Sequence, residues 1–454
     1  MQSSLKIGLE IHGYLNTKEK LFCNCKAEHG QKFSKPNTNI CPICTGMPGA
    51  KPMLANAEAV AHVLQAALIL NCKINQQFQW QRKHYDWPDL PKGYQNTNSG
   101  KYTIPIGTNG SFQGIKIKET HLEEDPSAWN PETGEIDYNR SGSLLIEIVT
   151  QPDFGSSLEV IQWLKQLTHA LSYIKAIDNN SGIKADVNVS LNNGERVEIK
   201  NMNSLENIKA AIEYEEKHQS KQTQKTRETK AFNPISGETI TMRTKEGEAD
   251  YRFISDPDLP IVKINSQIIE NIKNKIPETP QVKLERLIKK HKIDEKSAEV
   301  LAKNIDIVEF FEQVITKIPI QTAVPWVTIE LLRILNYNKK SLDEVDIQAS
   351  HFIELLEAVI KKEITELKAK QILNEFIPRS FSIKEKIKTH KTISSEKEIE
   401  DLALKVIKNN PKAVQDYKEG KPNAINFLIG ELMKLSNKRA DYKTAKEILE
   451  KLLK

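Results

Sequence analysis

Three consecutive carboxylates close a segment of this chain that otherwise alternates like a β-strand. Ile115 and Ile117 alternate with lysines, and the segment ends in the acidic run 123–125, Glu-Glu-Asp. Adjacent carboxylates repel one another, so the fold must either leave them in water or supply a compensating charge. Oxygen-rich clusters compensated by a divalent cation suit Mg²⁺ acting on phosphates. A solvated acidic loop is the alternative.

Ionisable side chains interrupt several other strand-like segments. In residues 7–12 the apolar side chains face one side, while Glu10 and His12 share the other. Glu147 lies inside the apolar run 144–149. Burying charge in a strand is unfavourable unless the charge is compensated. These segments therefore favour a shared cation site over an ordinary polar sheet face.

Residues 184–200 predict a β-hairpin, because polar and apolar residues alternate on both sides of the turn-forming tripeptide Asn-Asn-Gly at 192–194. A two-residue turn at 193–194 would pair Val189 with Glu198 and set an apolar side chain against a charge. A three-residue loop with Gly194 in the left-handed region avoids this mismatch. We therefore predict the three-residue loop.

The three-residue loop fixes which side chains face each other across the hairpin. It pairs Asn188 with Glu198, Asp186 with Lys200, and Val187 with Ile199. Asn188 and Glu198 are then about 5 Å apart at Cβ, and Asp186 is a diagonal neighbour at about 7 Å. One cation can therefore bridge these polar side chains.

Four of the five cysteines form two close pairs near the N-terminus. Cys23 and Cys25 are separated by fifteen residues from Cys41 and Cys44. Two such pairs are typical of a tetrahedral Zn²⁺ site with four thiolates, which is structural because no coordination position stays open. The first pair is spaced more tightly than usual. Cys72 is interpreted as a small buried residue.

Residues 82–95 follow neither helical nor strand periodicity. The stretch combines Lys, Arg, His and aromatic side chains with two prolines and a glycine. We predict a stiff loop, which suits contacts to phosphates and bases. A merely rigid connector is the alternative.

Charge and hydropathy restrict the class of protein. The net charge is +5, and residues 386–454 hold the basic excess, with 16 Lys and Arg against 10 Asp and Glu. No apolar run approaches the roughly 20 residues of a membrane span. The chain starts directly in a strand pattern without a charged and apolar leader. We expect a cytoplasmic protein with no membrane contact.

Several motifs occur together, and in this combination the chain resembles the B subunits of the aspartyl/glutamyl-tRNA amidotransferases. The motifs are residues 7–12, the four cysteines with residues 36–42, and residues 88–95, 121–125, 137–140, 145–149, 197–201 and 256–260. The resemblance runs from the first strand to the tail. Residues 435–441 depart from it, since Leu-Ser-Asn-Lys-Arg-Ala-Asp stands where relatives usually carry a Gly-Lys-Ala turn.

The resemblance implies an ATP-dependent enzyme that amidates misacylated tRNA. Such an enzyme phosphorylates the side-chain carboxylate of Glu-tRNA(Gln) or Asp-tRNA(Asn), and ammonia then displaces the phosphate. This agrees with the charge pattern, because a carboxylate is a poor acyl donor and an acyl phosphate supplies the leaving group. Whether one or both tRNAs are substrates is left open.

The resemblance also implies roles for particular residues. The expected Mg²⁺ ligands, meeting beside the ATP γ-phosphate, are His12, Glu124, Asp186 and Glu198. Residues assigned to the same nucleotide site are Glu10, Glu123, Glu147 and Asn188, with Lys92 and Arg140 as cations facing the phosphates. Strict alternation turns Glu123 and Glu124 to opposite faces, so both serve one site only if the strand bulges or ends there.

The ammonia source is expected on another chain. No glycine- and serine-rich amidase signature with a nucleophile and a lysine base occurs here, and residues 155–157 are expected to cap a helix over 158–173. The resemblance implies that a glutaminase A subunit supplies ammonia and that a small C subunit supports the pair. The expected assembly is a heterotrimeric ligase of protein biosynthesis.

The expected fold is α+β, with a largely antiparallel sheet in the catalytic domain, because the strands alternate rather than being continuously apolar. The resemblance implies that the catalytic domain has a glutamine-synthetase-like arrangement of its sheet and helices. We predict a catalytic domain over 1–267, a helical domain over 268–380 with one helix over 351–376, a linker over 381–395, and a helical, tRNA-binding tail over 396–454.

Two other classes of protein stay open. One is a zinc-containing tRNA-binding protein without catalysis, in which the carboxylates are scaffold. The other is the related E-type subunit, which is specific for Glu-tRNA(Gln) and carries an inserted domain for which 454 residues leave no room.

Overall fold

The computed structural model describes residues 4–28, 34–178, 182–192, 194–244, 251–390, 393, 396–421 and 423–453. The chain divides into two compact units, Met1–Thr279 and Pro280–Lys454. The first unit carries the strands, and the second is helical. The predicted α+β class is confirmed.

The first unit contains sixteen strands within the described residues. They are β1 (Leu5–Tyr14), β2 (Lys73–Ile74), β3 (Gln77–Phe78), β4 (Gln81–Lys83), β5 (Gln95–Thr97), β6 (Gly107–Phe112), β7 (Ile115–Glu124), β8 (Ala128–Trp129), β9 (Ile136–Asp137), β10 (Leu144–Thr150), β11 (Ile183–Leu191), β12 (Val197–Met202), β13 (Glu228–Asn233), β14 (Glu238–Thr244), β15 (Ile254–Ser255) and β16 (Val262–Lys263). Its helices are α1 (Ala57–Ile69), α2 (Ser157–Tyr173), α3 (Leu205–Lys221) and α4 (Ser266–Lys273).

One large sheet positions the polar strand residues. Its order is β14-β13-β12-β11-β1-β10-β7-β5-β4-β15, and β6 joins β7 to β2. Neighbours pair antiparallel except β12 and β13. Helix α3 connects that parallel pair, because parallel neighbours need a crossover that a tight turn cannot supply.

The two faces of the sheet differ in chemistry. Ile7, Leu9 and Ile11 of β1 are buried in a core that includes Trp163 of α2 and Ile212 of α3. Because side chains alternate along a strand, Glu10 and His12 must face the opposite side. The helices therefore cover the apolar face and leave a polar face for function.

Helix α2 begins where the sequence predicts. Ser156 is its N-cap, and the Ser156 side chain accepts a hydrogen bond from Glu159 N. The expectation that residues 155–157 cap a helix is confirmed, since this hydroxyl satisfies a backbone donor at the helix start.

The hairpin prediction is confirmed in part. Asn188 pairs with Glu198 and Val187 with Ile199. The predicted pairing of Asp186 with Lys200 is wrong, because the register shifts between Ala185 and Val187.

The turn of the hairpin also differs from the prediction. Asn192 has a φ of 52°, and Gly194 does not adopt the left-handed region. Asn tolerates that region because its short side chain bonds locally. Asn193 lies outside the described residues.

The first unit ends at Thr279, beyond the predicted boundary at residue 267. Helix α4 explains the difference, because Ile269 and Ile272 pack against the core of the first unit. Lys- and Glu-rich composition marks a helix but does not show which core the helix joins.

The second unit contains α5 (Pro280–Lys289), α6 (Glu295–Ala302), α7 (Ile305–Val314), α8 (Ile320–Pro325), a π-helical turn (Trp326–Leu331), α9 (Leu332–Tyr337), a 3₁₀ turn (Leu342–Glu344), α10 (Ala349–Ile360), α11 (Glu366–Asn374), α12 (Lys384–His390), α13 (Glu396–Asn409), α14 (Pro411–Lys418), α15 (Asn423–Leu435) and α16 (Tyr442–Leu453). Helices α13, α15 and α16 share a core that includes Ile399, Leu428 and Leu449.

Two sequence expectations for the second unit need correction. The single helix expected over 351–376 is two helices, because Lys362 is left-handed with a φ of 57° and Thr365 caps the next helix. The expected linker over 381–395 contains the short helix α12, and Ile383 before it is buried. Residues 391, 392, 394 and 395 of that stretch lie outside the described residues.

Among the helices described, none combines the length and the apolar character needed to cross a membrane.

A buried ion pair joins α3 to β13. Lys230 Nζ lies 3.1 Å from Glu215 Oε1, and both side chains are almost fully buried. Gln219 and Thr239 donate further hydrogen bonds to the Glu215 carboxylate. These donors compensate the carboxylate for the loss of water.

We predict that Glu215→Gln lowers the free energy of unfolding by about 3 kcal/mol, because it removes the nearer and fully buried counter-ion of the Lys230 ammonium and leaves only the partly exposed Glu228 carboxylate, 3.6 Å away. Urea unfolding of the purified variant measures this loss. The matched control is Glu213→Gln on the same helix, which removes a half-exposed pair with Lys209 and should cost less than about 1 kcal/mol. Equal effects of the two variants would contradict the prediction.

Candidate active site

The polar face of the sheet gathers ionisable groups from five neighbouring strands, β12, β11, β1, β10 and β7. His12 of β1 pairs with Glu147 of β10, and Glu147 pairs with His121 of β7. On the other side of β1, Glu10 pairs with Asp186 of β11. The sheet order therefore brings together residues that are far apart in the sequence.

The first cluster consists of His12, Glu123 and Glu147. His12 Nε2 lies 3.4 Å from Glu147 Oε2 and 3.9 Å from Glu123 Oε1. One ligand atom from each residue lies within 4.8 Å of the others. Imidazole nitrogen and carboxylate oxygen are metal-ligand atoms, so the group suits a divalent cation.

His121 of β7 lies beside the first cluster, next to Glu147 on the neighbouring strand. Its Nε2 lies 2.9 Å from Glu147 Oε2, and the His121 side chain is almost fully buried. The Glu147 carboxylate thus contacts two imidazoles at once. This contact fixes the direction of the carboxylate, as hydrogen-bonded partners of metal ligands commonly do.

Electrostatics in the first cluster favour charged groups. Burial opposes protonation of His12, but the Glu147 and Glu123 carboxylates outweigh it and raise the pKa of His12 to about 9. Burial also disfavours an ionised Glu147, yet the two imidazoles hold the pKa of Glu147 well below its usual value. Burial and the charge of Glu147 raise the pKa of Glu123. A bound cation would supply the positive charge that protonated His12 provides here.

The second cluster consists of Glu10, Asp186 and Glu198. Their carboxylate oxygens lie within 4.8 Å of one another. Lys200 Nζ sits between two of them, 2.8 Å from Asp186 Oδ2 and 2.6 Å from Glu198 Oε1. This ammonium occupies a position where a metal cation would find three carboxylates.

The charges of the second cluster are mutually dependent. Burial, followed by repulsion from Glu147, raises the pKa of Glu10. Burial opposes the charge of Lys200, but Asp186 and Glu198 hold the pKa of its ammonium above the usual value. The carboxylates therefore need a cation, and Lys200 provides one within the chain.

Asn188 borders the second cluster. Its Nδ2 donates a hydrogen bond to Glu10 Oε1 at 3.3 Å. Its Oδ1 is buried and has no hydrogen-bond partner within the part of the chain that the structure describes. A buried, unpartnered amide oxygen beside three carboxylates suits the oxygen-rich coordination of Mg²⁺.

The bulge in the β11–β12 pair brings Asp186 into the second cluster. Asp186 Oδ1 accepts a hydrogen bond from Asn201 N at 2.8 Å, where the shifted register leaves that donor free of the ladder. The bulge re-aims the side chain toward Glu198. The predicted closeness of these two carboxylates therefore holds, although the predicted register does not.

The single cluster expected from His12, Glu124, Asp186 and Glu198 is not what the structure contains. Glu123, not Glu124, joins His12. Side chains alternate along β7, so Glu124 points away from the polar face. The Glu124 carboxylate instead pairs with Lys92 and accepts a hydrogen bond from Asn96 N at 3.0 Å.

The side chains of Lys92 and Arg140 both bind groups of the chain itself. Besides pairing with Glu124, Lys92 Nζ donates to Asn96 Oδ1 at 2.8 Å. Arg140 donates from Nε to Pro126 O at 2.9 Å and from Nη2 to Ser127 O at 2.5 Å. Arg140 therefore braces the turn after β7.

A pocket of about 280 Å³ spans both clusters. It is lined by Glu10, His12, Glu123, Glu147 and Asp186. Further lining residues belong to segments that the sequence pattern singled out without giving the residues individual roles: Lys83, Tyr85, Asp125, Lys184 and Lys200. Tyr14 also lines the pocket and lies outside those segments. Lys184 and Lys200 were detectable, because they occupy polar positions in the alternating pattern of β11 and β12.

The four cysteines Cys23, Cys25, Cys41 and Cys44 form a separate cluster. Their sulfurs lie within 4.8 Å of one another, and none is in a disulfide. The sulfurs of Cys41 and Cys44 are 3.8 Å apart. Zn–S bonds of about 2.3 Å in a tetrahedron place sulfurs about 3.8 Å apart. The cluster therefore fits a tetrahedral metal.

Hydrogen bonding within the cluster favours a thiolate at Cys44. A hydrogen bond from the Cys23 thiol, outweighing the effect of burial, lowers the pKa of Cys44 to about 5. Burial raises the pKa of Cys25 to about 11. Because metals bind thiolates, a bound cation would lower the pKa of the remaining thiols.

The cysteine loop is tied to the rim of the pocket. Ser141 Oγ donates to Cys44 O at 2.7 Å. Leu21 N donates to Gly142 O, and Gly142 N donates to Asp125 O, which lies beside the pocket. Order in the cysteine loop therefore contributes to the position of the rim.

We predict that Lys200→Met lowers the free energy of unfolding by about 2 kcal/mol at pH 7, because it leaves three carboxylates without their cation. The loss should shrink at pH 5. Uncompensated carboxylates have folded-state pKa values above their unfolded values, so the folded state takes up protons first and gains stability as the pH falls.

Urea unfolding at both pH values in metal-free buffer measures this effect. Lys184→Met is the matched control, since Lys184 lines the same pocket but has no ion pair within the described residues. A Lys200→Met loss that is the same at both pH values would contradict the electrostatic explanation.

Comparison with known proteins identifies two matching family models. One, described as the GatB/GatE catalytic domain, matches residues 5–270. The other, described as the GatB domain, matches residues 309–453.

Full-length relatives are similar along almost the whole chain. A protein of Methanocaldococcus jannaschii is 41% identical, with 99% of this chain and 98% of the relative covered. Relatives from Methanothermobacter thermautotrophicus and Methanopyrus kandleri are 40% and 39% identical, with at least 98% of each chain covered. Each is named as the B subunit of aspartyl/glutamyl-tRNA(Asn/Gln) amidotransferase.

Proposed function

Because this chain belongs to the family of aspartyl/glutamyl-tRNA(Asn/Gln) amidotransferase B subunits, we propose that it activates the side-chain carboxylate of Glu-tRNA(Gln), Asp-tRNA(Asn) or both with ATP. Ammonia then replaces the phosphate and yields Gln-tRNA or Asn-tRNA. The observation that carries this proposal is the pair of adjacent clusters, one of them three carboxylates around Lys200, on the polar face of one sheet.

The proposed reaction has two group transfers. A carboxylate oxygen of the aminoacyl side chain takes the γ-phosphoryl group of ATP, and ADP leaves. The nitrogen of ammonia then attacks the acyl carbon, the bond from that carbon to the phosphate oxygen breaks, and a proton is lost from nitrogen. The acyl phosphate is needed because a free carboxylate has no adequate leaving group at neutral pH.

The residues present fit two divalent cations. Glu10, Asp186 and Glu198 would hold one, and the Asn188 amide oxygen is available beside them. His12, Glu123 and Glu147 would hold the other. Bound Mg²⁺ would neutralise the charge on the phosphates during phosphoryl transfer. The carboxylate ligands suit Mg²⁺ better than a softer metal.

The cationic side chains bind and orient the anionic reactants. Lys200 contacts oxygens of both Asp186 and Glu198. A divalent cation held by these carboxylates would compete with the Lys200 ammonium, which would then be available to bind phosphate. Lys184 lines the same pocket and has no ion pair within the described residues. His121 Nε2 keeps Glu147 directed at His12.

We assign Lys92 and Glu124 to a different task from the phosphate contact expected for Lys92. Their pairing with each other and with Asn96 makes a buried polar network at the end of β7. In this assignment the network holds the wall of the pocket in place, and Lys92 does not contact a phosphate. Arg140 likewise positions the turn at Pro126 and Ser127.

Ammonia is proposed to come from a partner A subunit with glutaminase activity, with a C subunit completing a cytoplasmic heterotrimer. The relatives are named as one subunit of an amidotransferase, which supports a multi-subunit enzyme. Those relatives are covered over 98–99% of their length and carry the name of the B subunit, which disfavours the E-type alternative.

The tail is proposed to hold tRNA through phosphates. The basic side chains proposed to contact phosphates are Lys434, Lys438, Arg439, Lys443 and Lys446, in and between α15 and α16. Contacts of this kind are blind to sequence and weaken with salt. A solvated helix face is the alternative.

We predict that Asp186→Ala and Glu198→Ala each reduce Gln-tRNA formation by about a hundredfold or more, because a lost cation ligand removes charge stabilisation from phosphoryl transfer. The measurement is ATP-dependent formation of Gln-tRNA with free ammonium, which bypasses the partner glutaminase. tRNA binding and subunit assembly should persist. Near-normal turnover of Asp186→Ala would show that the carboxylate is scaffold.

Two controls sharpen this test. Glu195→Ala removes an exposed carboxylate between β11 and β12 that pairs only with Arg227 among the ion pairs described, and it should retain activity. Glu123→Gln should weaken the binding of Mg²⁺ more than Glu124→Gln does, since only Glu123 faces His12. Inactive wild-type protein that still binds tRNA would favour the non-catalytic alternative.

We predict one Zn²⁺ per chain, held by Cys23, Cys25, Cys41 and Cys44. Cys41→Ser should release the metal and lower stability, because metal binding and folding of the loop are coupled. Metal analysis and thermal unfolding of freshly purified protein measure both effects. Cys72→Ala is the control, since Cys72 lies outside the cluster. Wild-type protein with intact thiols and little zinc would refute the assignment.

A further inference from the structure

Two of the five tryptophans lie outside the hydrophobic core. Trp80, Trp163 and Trp326 are buried. Trp87 is 54% exposed, and Trp129 is partly buried. The two rings pack edge to face with centroids 5.4 Å apart. Exposed tryptophan is unfavourable in water and is enriched where proteins bind partners.

Both tryptophans stand next to the walls of the pocket. Lys83 and Tyr85 line the pocket, and Trp87 follows Tyr85 by two residues. Pro126 also lines the pocket, and Trp129 follows it by three residues. At about 3.4 Å per residue, the ring-bearing Cα atoms lie within roughly 7 and 10 Å of those lining residues.

The two segments are held rigidly together. Ser127 N donates to Asp89 O at 2.8 Å, which ties the turn after β7 to the loop after Trp87. Arg140 donates to the carbonyls of Pro126 and Ser127. Trp129 pairs with Ile136 in the β8–β9 hairpin. The aromatic pair is thus positioned in advance, which lowers the entropic cost of binding.

We propose that Trp87 and Trp129 form a stacking platform for the unpaired 3′-terminal nucleotides of the aminoacyl-tRNA. This inference rests on the proposed function. The reacting carboxylate is joined through the amino acid to the terminal ribose, so the last base lies near the mouth of the pocket when the carboxylate is inside it. Trp87 and Trp129 follow the lining residues Tyr85 and Pro126 by two and three residues, which places them beside the pocket.

The chemistry of the platform favours bases over phosphates. The hairpin that carries Trp129 contains Glu132, Glu135 and Asp137, and the adjacent Arg140 is engaged by the carbonyls of Pro126 and Ser127. An acidic hairpin repels a phosphate backbone, whereas stacking on an aromatic ring is available to every base. The platform therefore accepts the single-stranded end, and its contribution to binding should depend little on salt. The Trp129 ring also borders a cleft of about 430 Å³, which leaves room for a base.

The test uses the chain assembled with its partner subunits and Glu-tRNA(Gln) as the probe. Trp87→Ala should raise KM for Glu-tRNA(Gln) roughly tenfold, as expected for one lost stacking contact. The kcat should change by less than about twofold, because the contact is equally strong before and during the reaction. Trp87→Tyr should retain most of the affinity. The ratio of mutant to wild-type KM should be the same at low and high salt.

A trimmed substrate tests the location of the contact. Removing the unpaired 3′ nucleotides from the tRNA should weaken binding to the wild-type complex, and Trp87→Ala should add little to that loss. Additive losses would show that Trp87 acts elsewhere. Trp129→Ala is the second variant and should reproduce the effect of Trp87→Ala, so failure of one variant to fold does not decide the matter.

The control is Tyr102→Ala, which removes another exposed aromatic side chain of the first unit that does not line the pocket. Wild-type KM in Trp87→Ala would overturn the inference, and so would loss of subunit assembly, which would assign the tryptophans to a protein partner. A wild-type complex that forms neither Gln-tRNA nor Asn-tRNA would refute the proposed function instead, so the two failures are distinguishable.

Discussion

The structure depends on a requirement for positive charge on one face of a sheet. The carboxylate oxygens of Glu10, Asp186 and Glu198 lie within 4.8 Å of one another, and ionised carboxylates at that separation repel one another unless a cation compensates them. Lys200 supplies that cation within the chain, and protonated His12 does so beside Glu147. The opposite face of the same strands is apolar and packs against α1, α2 and α3. Burial of that face fixes the strands, and the fixed strands force the carboxylates together.

This arrangement explains how a stable fold carries a site with high charge density. The core provides stability on one side, so the polar face is free to hold groups that repel one another. Neither cluster is an isolated acidic patch. Each cluster combines carboxylates with groups whose charge or position a bound cation would change. These groups are Lys200 in one cluster and the two imidazoles in the other. A cation that bound in either cluster would therefore replace a positive charge already present there, and the sheet would not need to rearrange.

Segments outside the sheet complete the site. The cysteine loop and the turn at Arg140 are linked through Ser141 and Gly142. Arg140 then positions Pro126 at the wall of the pocket, with Trp129 beyond it. A structural metal held by the four cysteines would not contact the substrate. It would affect the reaction by ordering the rim of the pocket, where the tRNA end is proposed to stack. The hairpin that carries Trp129 would contact bases of the tRNA, and the basic tail would contact its phosphates.

Local pattern in the sequence determined much of this protein. Alternation predicted the strands and their polar side, the Asn-Asn-Gly tripeptide predicted the β11–β12 hairpin, and cysteine spacing predicted the sulfur cluster that the structure contains. These features depend on neighbours in the sequence. Only the tertiary structure decided that Glu123 rather than Glu124 faces His12, that the ligands separate into two clusters, and that Lys200 lies between the carboxylates. These depend on the order of strands, which places β1 between β10 and β11, and on a bulge that shifts the register at Asp186. Long-range pairing and bulges arise from packing of the whole sheet, and no single segment encodes them.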